Sequence, residues 1–286
     1  MRKRLLVWDT SSRTGTIAAL EWNTMEREKG RFALKLVAEW TLSLEAVHAE
    51  RLLWSIDKIL ASCGWTLADV DYFGVGLGPG SFTGLRIGLT TARTLAQTTG
   101  KPLVGVSSLA ALARPVAAWL IEKKESATLV AATDAAKGEW FTLWGSARSI
   151  ADCSVHPEEG APLESTGTWK RGVVEEVVRP TELFKKLKRK IGTTGKWAVF
   201  GEAADRYPEL WEELPASRRL ELPLPFLSQV QGRYVGLLAW EAIQAGQIRD
   251  PLSVSPRYLR SPDATIKLQA GLLPPGPTRG GSAPPR

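Results

Sequence analysis

Val75-Gly76-Leu77-Gly78-Pro79-Gly80-Ser81-Phe82-Thr83-Gly84-Leu85-Arg86-Ile87-Gly88 is the stretch on which the reading of this chain turns. It leaves an apolar strand predicted over Asp71 to Leu77, turns through Gly-Pro-Gly, and enters a long helix predicted over Phe82 to Thr99. Gly78 and Gly80 permit backbone angles closed to other residues, and Pro79 stiffens the turn between them. Ser81 or Thr83 can accept from the free N–H groups of the first helical turn. Such a corner either cradles a phosphate at the helix start or packs tightly against a neighbour. It lacks the Gly-Lys-Ser/Thr ending of a P-loop, and G-x-G-x-x-G cannot be laid on its glycines. One side of the helix is small and polar, at Gly84, Gly88, Thr91, Thr94 and Thr98. That pattern predicts close approach of a second helix and makes the corner a device for placing a docking surface.

Working outward, residues 4–8 read as a buried strand, Asp9-Thr10-Ser11-Ser12-Arg13-Thr14-Gly15 as a polar turn, and Thr16 to Trp22 as a second strand. A third is predicted over Phe32 to Leu42, alternating at Phe32, Leu34, Leu36, Ala38 and Trp40. A helix follows over Leu44 to Cys63, with Ala49, Leu52, Leu53, Ile56, Ile59, Leu60 and Cys63 on one face, closed by Gly64. Leu103 to Val106 is the fifth strand, and Ser107 caps a helix to about Ile121. The order β-β-β-α-β-α-β-α gives a mixed five-stranded sheet. It is the half-unit of the actin/hexokinase/Hsp70-like fold, an analogy of fold alone. The second half holds strands over 127–133, 139–145, 173–178 and 197–200, a helix over Gln229 to Gly246 and an extended stretch over 256–260. No internal sequence repeat is evident. The predicted organisation is an N-terminal lobe of residues 1–108 with its helices 44–63 and 82–99, a smaller, degenerate second lobe of 109–268, and a disordered Pro/Gly-rich tail, 269–286.

The 286 residues, 44% of them hydrophobic, suit a globular chain. No apolar run reaches membrane-spanning length. The basic start, Met1 to Arg4, runs into a short apolar stretch ended by Asp9, which reads as a strand rather than a signal peptide and places the protein in the cytoplasm. Two cysteines, Cys63 and Cys153, read as unpaired thiols. Two histidines, His48 and His156, with no H-x-x-x-H or C-x-x-C, argue against a zinc enzyme. The net charge of +7 permits an acidic partner such as RNA. Part of it lies in the helical pattern Glu182 to Ile191, where Lys185, Lys186, Lys188, Arg189 and Lys190 oppose an apolar stripe and read as a solvated face. Most of the twelve tryptophans read as core or interface residues.

The candidate sites are few. Asp9, Thr10 and Ser11 at the end of the first strand either face a hydrated metal and phosphate or form an Asx turn between two strands. With Gly78, Gly80, Ser81 and Asp134 they outline a degenerate nucleotide cleft. Asp134 and Glu139 form either an acid–base pair or an acidic hairpin. His48, near a helix start, reads as a structural or interface histidine.

Several stretches together resemble the TsaB (YeaZ-type) family. They are Leu6 to Ser11; His48-Ala49-Glu50-Arg51-Leu52-Leu53; Gly76 to Gly88; Val104 to Leu109; Asp134-Ala135 with Gly138-Glu139; and Pro256-Arg257-Tyr258-Leu259-Arg260. The resemblance implies an actin-like fold and a non-catalytic subunit of the machinery that makes threonylcarbamoyladenosine at adenosine 37 of tRNAs reading ANN codons. It implies pairing with the paralogue TsaD, or with itself, through the two N-terminal helices, and recruitment of TsaE. ATP and metal are expected on those partners and no cofactor on this chain, with tRNA reached through the complex and no membrane contact. The interface candidates on these helices are His48, Leu52, Leu53, Ile56, Phe82, Arg86, Leu89 and Arg93. The two metal-binding histidines of TsaD fall here on Ser108 and Leu112. The chain departs from the family pattern at Ala136, where Arg is usual, and at Glu202, where the family commonly reads Gly-x-Gly. The alternative is a small-molecule kinase or ATPase of the actin-like superfamily, which needs Mg-ATP in the cleft.

Overall fold

The structure is a computed structural model that describes residues 1–25, 27–28, 31–32, 34–43, 49–152, 166–169, 172–191, 195–209, 215–222 and 228–259. His48, Cys153, His156, the predicted start of the first helix and the tail 269–286 lie outside these residues.

The first sheet is built from β1 (Arg2–Asp9), β2 (Thr14–Asn23) and, after a small hairpin of β3 (Arg27–Glu28) and β4 (Arg31–Phe32), β5 (Lys35–Ser43). Then come α1 (Ala49–Ser62), β6 (Tyr72–Gly76), α2 (Phe82–Thr99), β7 (Leu103–Val106) and α3 (Ser108–Lys123). The strand order is β5-β2-β1-β6-β7, with β1 antiparallel to β2 and parallel to β6. This is the predicted mixed sheet. Ser81 caps α2 by accepting from the Gly84 N–H, and Gly100 ends it in the left-handed region at φ 66°.

The second half gives β8 (Ala127–Asp134), β9 (Trp140–Ser146), α4 (Ala147–Ala151), β10 (Thr166–Trp169), β11 (Val173–Val178), α5 (Pro180–Ile191), β12 (Lys196–Phe200), α6 (Glu202–Arg206) and α7 (Gly232–Gln244). Its sheet runs β10-β11-β9-β8-β12. Here β8 is antiparallel to β9 and parallel to β12, as β1 is to β2 and β6. The repeat invisible in the sequence is therefore present in the topology.

The central strands are buried on both faces, so they read as continuous apolar runs. Leu6 and Trp8 face α1 and α2, while Leu5 and Val7 face the middle of the molecule. There they meet α3 and α7, and beyond those helices Leu129, Ala131 and Leu143 of the second sheet. The alternate residues Val130, Ala132 and Trp140 face α5 and α6 with Leu183, Phe184 and Trp197. Five layers result: helices, sheet, helices, sheet, helices.

Two expectations are corrected. The alternation predicted from Phe32 to Trp40 breaks, because a bulge sits where Ala19 pairs Ala38 but Leu20 pairs Leu36. Leu34 consequently packs on the middle layer, whereas Val37, Ala38 and Trp40 pack with α1 and α2. The helix expected in the second lobe, α7, lies instead on the first sheet. Gly232 and Gly236 let it approach β2 so closely that a Cβ at Gly236 would stand 2.3 Å from Leu20.

Candidate functional site

The loop after β6 and the turn after β1 are pressed together. A Cβ on Gly80 would lie 2.1 Å from the Ser11 carbonyl oxygen, which also accepts from the Ser81 N–H at 2.6 Å. A Cβ on Gly76 would lie 1.7 Å from Asp9 Oδ2. Side chains are excluded here by close approach, and Gly78 takes φ 92° in the turn.

Asp9 is fully buried. Its Oδ1 accepts from the Ser11 N–H at 2.8 Å and the Ser11 hydroxyl at 2.6 Å, and its Oδ2 accepts from the Ser108 hydroxyl. Ser108 Oγ in turn accepts from the Gly78 N–H at 3.0 Å. Burial pushes the Asp9 carboxyl above its ordinary range, and the bonds from Ser108 and Ser11 only partly offset this. The Asp9 carboxylate is enclosed by its own chain, with both oxygens hydrogen-bonded. A metal–phosphate centre at Asp9 does not fit this arrangement.

Of the small side of α2 expected as a docking face, Gly84, Gly88 and Thr91 turn inward, whereas Thr94 and Thr98 are exposed. Thr10 Oγ1 donates to the Gly84 carbonyl at 2.7 Å, and Trp8 Nε1 donates to the Gly88 carbonyl at 3.0 Å. A Cβ on Gly84 would stand 2.1 Å from the Thr10 carbonyl oxygen. These glycines admit the end of β1, not a foreign helix. Leu52, Ile56 and Leu89 are likewise core residues, 2–4% exposed. Of the interface candidates, Leu53, Phe82 and Arg86 reach solvent. Arg93 is half-buried and donates to the carbonyls of Leu252 and Val254. Trp54, one of the tryptophans read from the sequence as core or interface residues, is 59% exposed beside Trp40.

Between the lobes lies a cleft of about 540 Å³, bordered by Ser11, Gly80, Ser81 and Phe82 on one side and by Asp134, Lys137 and Glu202 on the other. Arg257, Tyr258 and Leu259 also line it. Asp134 accepts from the Ala136 N–H at 2.8 Å and from Arg206 at 2.7 Å. Glu139 serves the hairpin through its backbone, accepting from Ala135 and donating to Ala136, which is the hairpin reading rather than the acid–base one. Burial pushes the Glu202 carboxyl up, while Arg13, 3.8 Å away in the other lobe, pulls it down. Arg257 bonds the buried Glu175 at 2.8 Å, and Ser107 donates to the same carboxylate at 3.0 Å. Tyr258 packs on Phe82 with ring centroids 5.0 Å apart.

The structure thus brings Ser11, Gly80, Ser81 and Asp134 together at the cleft and leaves Asp9 and Thr10 behind it. Ser108, Glu202 and Arg257 entered the sequence reading only through the family resemblance, and Arg13, Lys137 and Glu175 carry no local signature. Only the pairing of the lobes makes them neighbours. Among the described residues no helix is long and apolar enough to cross a membrane.

Residues 43–153 match the family model of TsaD, tRNA N6-adenosine threonylcarbamoyltransferase. The tRNA threonylcarbamoyladenosine biosynthesis protein TsaB of Escherichia coli K12 is 31% identical over 58% of this chain and 62% of its own length. TsaB of Haemophilus influenzae is 30% identical over 57% of this chain and 64% of its own. The chain therefore spans a little over three-fifths of the curated relatives it matches. In structure it is similar to YeaZ from Pseudomonas aeruginosa, with a TM-score of 0.57 at 23% identity over 89% of this chain and 98% of that one. The chain is similar to the TsaB proteins over part of its length and shares the fold of the YeaZ structure.

Proposed function

We propose that this protein is a non-catalytic subunit in the biosynthesis of tRNA threonylcarbamoyladenosine, pairing with a TsaD-type transferase that carries the chemistry and recruiting a TsaE-type ATPase. The observation that carries the reading is the closed first-lobe site, where Asp9 is buried with both oxygens bonded to Ser11 and Ser108. The relatives named above supply the pathway. The docking surface is the solvent side of α1 and α2, with Leu53, Trp54, Phe82 and Arg86 at its centre. Self-pairing would use the same side.

The test is co-expression of the full chain with a TsaD-type transferase, followed by size exclusion and a threonylcarbamoylation assay with tRNA, TsaC-type adenylate and TsaE. A stable complex is expected, with transfer that needs both proteins and none from this chain alone. Arg86→Ala is expected to weaken the complex severalfold. An active transferase that forms no complex with this chain sinks the proposal.

The second reading, a small-molecule kinase or ATPase, draws on the cleft and its Lys137 and Arg257 side chains. Calorimetric titration with Mg-ATP separates the two. Tight stoichiometric binding to the chain alone favours the kinase, and its absence favours the scaffold.

A further inference from the structure

We infer that the end of the second sheet remote from the cleft is an RNA-phosphate surface. The inference rests on the reading that this chain works on tRNA and adds where it would touch that substrate. The argument starts from topology. Strands β8 and β12 are parallel neighbours, with Ala127 paired to Lys196 at their starts. The cleft lies at their other ends, beyond Asp134 and Gly201. Each strand is entered from a helix, β8 from α3 and β12 from α5, and these helices cover opposite faces of the sheet. Their C-terminal turns therefore flank the same end.

Both turns are basic. The exposed Lys123 and Lys124 close α3, and the exposed Lys188 and Arg189 close α5, with Lys185 one turn earlier. Residues more than sixty apart in sequence are thereby gathered at one end of one lobe. On the α3 side Glu122 and Glu125 dilute the charge, and Glu125 stands 3.8 Å from Lys196. On α5 the one acidic residue is the exposed Glu182, in the first turn, a turn before Lys185. From Lys185 to Arg189 the helix contains no acidic residue, and Lys186 alone turns aside, to the buried Glu176 at 2.6 Å. Lys185, Lys188 and Arg189 carry no ion pair among the described residues.

Helix polarity accounts for cations in a last turn, but not for Lys185, six residues before the helix ends. Lys185 and Arg189 lie on one face, about 6 Å apart along the axis at 1.5 Å per residue, which suits successive backbone phosphates. A membrane surface fits less well, because anchoring needs apolar side chains beside the cations. Here Leu183, Phe184 and Leu187 are 0–4% exposed, closed against Trp197 and Trp140.

The experiment is binding of a fluorescent tRNA transcript to the full chain across a salt series, with the triple variant Lys185→Glu/Lys188→Glu/Arg189→Glu. A milder pair, Lys188→Gln/Arg189→Gln, guards against misfolding. Three lost phosphate contacts should reduce the slope of log K against log salt by about 2 to 3, and the milder pair by about 1 to 2. The control Arg2→Glu/Lys35→Glu, on β1 and β5 of the first sheet, should leave the slope unchanged. The inference is overturned if the full chain does not bind tRNA, if the slope of the α5 variants is unchanged, or if the control loses as much. Co-elution of the triple variant with the transferase reads the pairing proposal separately, since α5 lies away from α1 and α2.

Discussion

Asp9 and Asp134 end the first strands of the two sheets, and each accepts from the backbone N–H two residues on, Ser11 and Ala136, at 2.8 Å. The same Asx turn has been used twice, yet the two carboxylates have opposite fates. Behind Asp9 the β6–α2 loop brings Gly76 and Gly80 against the turn, and Ser108 reaches in from α3 to close the remaining oxygen. Behind Asp134 there is one such glycine, Gly201 at φ 105°, after which α6 turns away and offers Glu202 and Arg206. The first site becomes interior and the second stays at the cleft. A repeated backbone device thus fixes where a carboxylate starts, while the glycines and serines packed behind it fix whether it meets solvent. The acidic groups that line the cleft, Asp134 and Glu202, both stand on its second-lobe wall, facing Ser11, Ser12, Arg13 and Ser81 of the first.

The comparison breaks most readily at its ion pairs. Arg257→Ala removes the 2.8 Å ion pair to Glu175, which is 0% exposed, and should cost about 3 to 5 kcal/mol in urea unfolding. Arg206→Ala removes a pair whose arginine is 42% exposed and should cost less than about 1 kcal/mol. Equal losses would show that the strap through Arg257 does not hold the lobes together.

The glycines give the next effect. Gly80→Ala forces a methyl group against the Ser11 carbonyl and should destabilise by about 3 kcal/mol. Gly138→Ala in the second-lobe hairpin meets nothing within 4 Å and carries only the cost of its φ of 75°, about 1 to 2 kcal/mol. Thermal melts of the two variants rank them directly. If Gly138→Ala proves the worse, close approach is not what closes the first site.

The smallest effect concerns pH. The Asp9 carboxyl is raised by burial, so its protonated form is favoured by folding. Its contribution to stability is full below the ordinary carboxylate value of 3.8 and is lost as pH rises through the raised folded value. Asp9→Asn removes this loss while keeping an acceptor for Ser11. Relative to the unmutated chain, the variant should gain stability as pH rises above the ordinary carboxylate value of 3.8, by about 1.4 kcal/mol for each unit of raised pKa. A difference that stays flat above that value would mean Asp9 is better solvated than its burial implies.

Much of the first lobe was legible. The cap at Ser81, the stop at Gly100 and the strand at Leu103 to Val106 follow from local chemistry, which acts over a few residues and leaves its mark in them. The five-strand order followed from the periodicities. What failed was assignment of faces. The α2 pattern of Gly84, Gly88 and Thr91 says that something comes close but not what, and the neighbour proved to be Thr10, more than seventy residues earlier. Leu52, Ile56 and Leu89 looked available for a partner because an apolar stripe does not announce whether its own sheet already covers it. The bulge at Val37 was hidden because it depends on the register of β5 against β2.

By itself the sequence determined the elements, the corner at Gly78 to Ser81, the basic face of α5 and the likeness to the TsaB (YeaZ-type) family, since each is carried by residues adjacent along the chain or one helical turn apart. Tertiary structure alone decided that Asp9 is enclosed and Asp134 is not, that α7 covers the first sheet, and that Arg257 meets Glu175 across the lobes. Burial and ion pairing are properties of what lies on the other side of a side chain, and in a two-lobe fold that neighbour comes from a distant part of the chain.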